Sequence, residues 1–172
     1  MVDNKIQRIF VLINNHKNNL IMGTRSTYRI IEQHTTGKKV KKIKNDELVL
    51  IYRQYDGYPT GHPLETAEWL STGKVVNGFG STENQLVFNG AGCLAAMLIG
   101  RLKEEQTGNT YIHPLKSRGE SGEDYLYDII VKEDYSIEFV CYDNWKDGRP
   151  ELFRGTPSDF VLTYKKEEVE SE

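Results

Sequence analysis

Between Asn89 and Glu104 the chain reads Asn-Gly-Ala-Gly-Cys-Leu-Ala-Ala-Met-Leu-Ile-Gly-Arg-Leu-Lys-Glu, with no charge before Arg101. A helix written this way has almost no polar face and is stable only against a broad apolar surface, here a sheet. The stretch predicts a central helix packed flat, carrying Leu94, Met97, Leu98 and Ile99. Gly90, Gly92, Ala95 and Ala96 are expected to let another backbone come close, so a bulky residue at Gly92 should clash.

The sheet this helix needs is visible on both sides of it. Residues 26–32 carry Tyr28, Ile30 and Ile31 in a strand pattern, and Thr36-Gly-Lys-Lys39 reads as a turn. Residues 47–53, Glu-Leu-Val-Leu-Ile-Tyr-Arg, form a second strand whose unbroken apolar run predicts burial on both faces. Residues 125–132 and 136–142 flank Glu133-Asp134 as an antiparallel hairpin, with Tyr125, Tyr127, Ile129 and Val131 on one face. Two further helices start at prolines. One covers 63–70 and ends before Gly73; the other opens at Thr156-Pro-Ser-Asp159, where Thr156 caps and Asp159 reaches back. Hairpins are easier to find than crossover units. The fold class is therefore α+β, a mainly antiparallel sheet with two or three helices packed on one face.

The chain has the length of one domain, expected over residues 22–164. Residues 1–21 read as an N-terminal extension or accessory strand, and 165–172 as a charged C-terminal tail. A net charge of −3 does not favour bulk nucleic acid as a partner. No apolar run approaches the ~18 residues that span a bilayer, so no membrane is implied. Cys93 and Cys141 sit in apolar sequence and read as reduced core thiols of a cytoplasmic protein, not as a disulfide or zinc framework. No metal and no cofactor signature is present. Lys38-Lys-Val-Lys-Lys-Ile-Lys44 reads as a solvated edge, where lysine blocks strand pairing.

The chemistry concentrates in Tyr52-Arg-Gln-Tyr-Asp-Gly-Tyr-Pro-Thr-Gly-His62, between a buried strand and a proline-started helix. Arg53 suits a phosphate or carboxylate, Tyr55 and Tyr58 offer flat faces, and the free N–H groups of the next helix favour an anion. His62, Glu65 and Asp56 are the candidates for acid–base work. Plain roles compete with each: Asp56 serves the Asp-Gly turn, His62 caps the helix, and some tyrosines pack the sheet. A second loop, Leu115–Tyr125, places Arg118 between glycines and could cradle phosphate through its backbone. Arg25 completes the basic candidates.

Met22-Gly-Thr-Arg-Ser26, the Tyr52–His62 loop and Asn89-Gly-Ala-Gly-Cys-Leu-Ala-Ala96 together resemble a family of small uncharacterised bacteriophage and bacterial proteins, from Met22 to about Asp159. The resemblance implies a setting, the cytoplasm of an infected bacterium, and a counter-defence role, but no activity. Three functions follow. The first is a module that binds a small anionic ligand, such as a nucleotide signal, on Arg53, Tyr55, Tyr58, His62, Arg118 and Arg25. The second is a phosphodiester-acting enzyme using His62 with Arg53. The third is a protein-interaction inhibitor or adaptor. Assembly with further copies of the chain stays open.

Overall fold

The computed structural model describes residues 23–37, 41–78, 85–104 and 107–170; the segment 1–21 and turn residues 38 and 39 lie outside them. The described residues form β1 (Ser26–Thr36), β2 (Lys42–Arg53), α1 (His62–Ser71), β3 (Gly73–Val76), β4 (Leu86–Asn89) and α2 (Gly90–Lys103). There follow β5 (Thr110–His113), a 3-10 turn at Leu115–Ser117, β6 (Tyr125–Val131), β7 (Ile137–Asp143), β8 (Glu151–Gly155) and α3 (Pro157–Glu170). The fold is α+β. Six strands form one sheet in the order β5-β2-β1-β6-β7-β8. Every neighbouring pair is antiparallel except β1 and β6, which run parallel with Ser26 beside Tyr125. β3 and β4 make a separate parallel pair.

The alternation of strand side chains sorts the sheet into two faces. Tyr28, Ile30, Ile51, Tyr127, Ile129, Val131 and Phe139 point to the helices. They meet Leu64, Ala67 and Leu70 of α1, Leu94 and Leu98 of α2, and Phe160 of α3. The hairpin lies where its pattern placed it, with Tyr127, Ile129 and Val131 in the core and Tyr125 packed against it. Leu50 and Ile51 are both fully buried, one on each face, as the apolar run of β2 required.

The opposite face holds Ile31, Ile130 and Val140, together with one buried carboxylate. Asp128 accepts from Arg29 Nε at 2.9 Å and Nη2 at 2.7 Å, and from Arg118 Nη2 at 2.8 Å. Two guanidiniums thus balance a carboxylate that is only 3% exposed, the condition under which a buried charge is tolerated.

α2 buries Ala91, Leu94, Ala95, Leu98 and Leu102, a single stripe at helical spacing. Its outer side carries Gly92, Ala96, Met97 and Gly100, all exposed. Among the described residues an added Cβ at Gly92 would meet nothing within 4 Å, so the expected clash is corrected: the glycines face out and no described backbone approaches them. Cys93 is likewise half-buried on this outer side, its Sγ 3.8 Å from Met97 Sδ, and only Cys141 is a core thiol.

At α3 the cap is as read: Asp159 Oδ2 accepts from the Thr156 N–H at 3.0 Å and hydroxyl at 2.7 Å, and Asp159 N–H donates to Thr156 Oγ1 at 3.1 Å. The helix continues to Glu170, and Lys165 pairs with Glu68 of α1 at 2.6 Å, so the expected tail is largely helical. β2 starts at Lys42 rather than Glu47, and β5 pairs only with Leu50–Arg53. Lys42 and Lys44 therefore lie on an exposed margin.

Two substitutions in α2 should move stability in opposite directions. Leu98→Ala should lower the unfolding free energy by roughly 2–5 kcal/mol in a urea melt. Gly92→Ala should raise it by about 0.5–1 kcal/mol, because the site is open and helical. A loss at Gly92 would mean that something packs on the exposed stripe.

Candidate functional site

One rung of the sheet sets the position of the site. Thr110, Arg53, Ser26, Tyr125 and Asp143 lie side by side across β5, β2, β1, β6 and β7. The Tyr52–His62 segment leaves the sheet at this rung. Its backbone is held in place. Gly57 N–H donates to Thr24 O at 2.9 Å, and Tyr127 Oη donates to Gly57 O at 2.9 Å. Asp56 takes a left-handed conformation, φ 56°, and a Cβ on Gly57 would come within 2.7 Å of the Ser26 Cβ. The Asp-Gly pair is therefore demanded by a tight turn pressed against β1.

The same turn uses the amides that were expected to favour an anion. His62 N–H donates to Asp56 O and Leu64 N–H to Gly61 O, each at 2.9 Å, while Pro63 has no N–H. The start of α1 satisfies its first donors internally, so the helix terminus is not the receptor.

Arg53 shares the helix-facing side of β2 with Ile51 and is 8% exposed. Its Nη1 donates to Leu102 O at 2.9 Å and to Thr110 Oγ1 at 2.7 Å. One edge of the guanidinium thus serves the carbonyl end of α2, where a cation is favourable. Its Nε finds no hydrogen-bond partner among the described residues. No carboxylate among them pairs with it at salt-bridge distance either, and burial pulls its pKa below the ordinary guanidinium value.

Arg53 lines a small polar cavity of about 110 Å³ together with His62, Glu65, Arg101, Glu104 and Asn109. Tyr28 Oη lies 2.9 Å from His62 Nδ1. Burial keeps Tyr28 a neutral phenol, its pKa well above the ordinary value, so its hydroxyl shares one hydrogen bond with Nδ1 whose direction follows the imidazole tautomer. Burial, reinforced by Arg53 and Arg101, pushes His62 down to about 3. Asn109 Oδ1 is a second buried atom without a partner among the described residues. At the rim Arg101 lies over the Trp69 ring, 5.5 Å from its centroid.

The predicted site residues divide. Arg53, His62 and Glu65 come together at the cavity. Asp56 does not line it but acts on Arg53 through charge. Tyr55 is 47% exposed with its ring against Gly23, and the Tyr58 ring lies against Gly61; neither lines the cavity. Arg118 is on the other face of the sheet, tied to Asp128 and stacked over Tyr142 at 5.3 Å. Its loop does not present a free phosphate cradle, because Glu123, 2% exposed, accepts from the Gly119 N–H at 3.2 Å and the Ser121 N–H at 2.8 Å. Arg25 anchors to Asp124 through its backbone N–H at 2.6 Å, and its guanidinium lies by Gly122, away from the cavity. Tyr28, Arg101, Glu104 and Asn109 were missed. They come from β1, α2 and the loop before β5, and nothing in sequence spacing joins them to the segment.

Among the described residues no three metal-ligating side chains converge, and no helix is long and apolar enough to cross a membrane. Compared with family models, curated proteins and solved structures, the chain matches none.

His62 should leave a mark on acid stability. Its folded pKa of about 3 lies below the ordinary 6.5, so the native state binds fewer protons than the unfolded chain. The stability it permits is complete above 6.5 and is lost as pH falls from there towards 3. Melts of wild type and His62→Gln should diverge across this window, with the variant falling less steeply. Parallel curves would place the imidazole in water.

Proposed function

We propose that the chain is a binding module for a small anionic ligand, with Arg53 as the receptor. The observation that carries this is a buried guanidinium with an unpartnered Nε at a polar cavity. A desolvated cation attracts an anion far more strongly than an exposed one, and the fork of Arg53 suits phosphate or carboxylate oxygens. His62 adds a neutral imidazole to the same lining. The cavity, about 110 Å³, has room for several waters and so for one phosphoryl or carboxylate group. A nucleotide would place its phosphate inside and its base against the surface outside.

The cavity chemistry favours binding over turnover. A histidine titrating near 3 is not protonated at neutral pH and is a weak base, far from the match to working pH that proton transfer needs. Sequestration requires affinity alone. In the infected bacterium that the family resemblance implies, such a module would act by withdrawing a nucleotide signal from host defence.

The test is incubation with a panel of cyclic and linear nucleotides and inorganic phosphate, followed by heat denaturation and analysis of the released material. Intact ligand is expected, and Arg53→Met should weaken its binding by about 1.5–3 kcal/mol, the usual worth of a hydrogen bond to a charged group. Cleaved product that disappears in His62→Ala would replace this reading with catalysis.

A further inference from the structure

The described lining of the cavity is balanced rather than basic. Arg53 and Arg101 face Glu65 and Glu104 around a neutral His62, so the net charge is nil. Both carboxylates are close enough to act on the Arg53 charge, and both are exposed, whereas Arg53 is buried. The cavity is therefore polarised, with a cation inside and an exposed margin where two carboxylates outnumber one guanidinium, Arg101. Two of its buried atoms have no partner among the described residues and repeat this pairing: Arg53 Nε is a donor and Asn109 Oδ1 an acceptor. Buried polar atoms are almost always satisfied, so the complement should both accept and donate.

We propose that the cavity receives a small zwitterion of the amino-acid type, with its carboxylate on Arg53 and its ammonium among Glu65, Glu104 and the Asn109 carbonyl. This rests on Arg53 as an anion receptor and narrows the ligand class. A phosphate dianion would satisfy Arg53 but carry no donor for Asn109, and it would enter past a margin whose two carboxylates outnumber Arg101. A zwitterion leaves no net charge in a desolvated space and places each end against its opposite. Size agrees, because a carboxylate, one carbon and an ammonium fit within about 110 Å³, with the side chain directed to the open end.

Calorimetry and thermal melts with a panel of L-amino acids test this, with acetate, methylammonium and inorganic phosphate as comparators. One or more amino acids should bind saturably, roughly tenfold or more tighter than acetate or methylammonium alone. Arg53→Met should abolish that binding. The double variant Glu65→Gln, Glu104→Gln, altered only at exposed positions, should weaken amino-acid binding about tenfold or more and strengthen phosphate binding. Phosphate or nucleotide binding without any amino acid would overturn the zwitterion and leave the anion receptor standing. Amino-acid binding untouched by either variant would overturn it by placing the site elsewhere. Silence from every ligand, with wild type and Arg53→Met melting alike in their presence, would overturn both.

Discussion

Two buried phenols connect the core to the site. Tyr28 and Tyr127 are fully buried neighbours on β1 and β6, stacked at 5.3 Å. Each sends its hydroxyl out of the apolar layer. Tyr127 reaches Gly57 O, and Tyr28 reaches His62 Nδ1. A buried hydroxyl without a partner costs about 1–3 kcal/mol, so each phenol fixes the atom it touches. One fixes the turn, the other the orientation of the imidazole. The irregular segment after β2 is thereby part of the core rather than a loop laid over it.

This arrangement depends on the parallel pairing of β1 with β6, because it places the two tyrosines side by side. Nothing local in the sequence announces that pairing, since about a hundred residues separate the strands. What was legible were features carried by short windows: the hairpin of β6 and β7, the apolar run of β2, the Thr156–Asp159 cap and the three helices. β3, β4, β5 and β8 are strands of four or five residues, too short to show a period. The error over α2 has a different cause. Small residues predict a close backbone approach, yet glycine and alanine also remove polar groups without requiring cover. The outer stripe is small rather than packed.

The candidate site shows the same division. The segment supplied Arg53, His62 and Glu65 because a buried strand feeding a turn and a helix start is a local pattern. Arg118 was grouped with Arg53 on charge alone, and strand parity separates them. Arg53 follows Ile51 to the helix side, whereas Arg118 meets Asp128, whose neighbours Tyr127 and Ile129 point away from it. The sheet lies between the two arginines. Each solves burial differently, Arg118 by sharing a carboxylate and Arg53 by leaning on neutral oxygens.

That difference is why the anion receptor we propose is Arg53 and not Arg118. An arginine already paired with a carboxylate has little attraction left for an incoming anion, and displacing the partner would strand a buried charge. Arg53 avoids this because Leu102 O and Thr110 Oγ1 hold its Nη1 without neutralising it. The same two bonds, with Thr110 Oγ1 itself donating to Leu102 O at 2.8 Å, immobilise the side chain before any ligand arrives. Ordering a long side chain commonly takes ~0.5–1.5 kcal/mol from binding, and here that ordering belongs to the fold. Capping of α2 and positioning of Arg53 are therefore one device, in which the helix end orients the guanidinium without neutralising it.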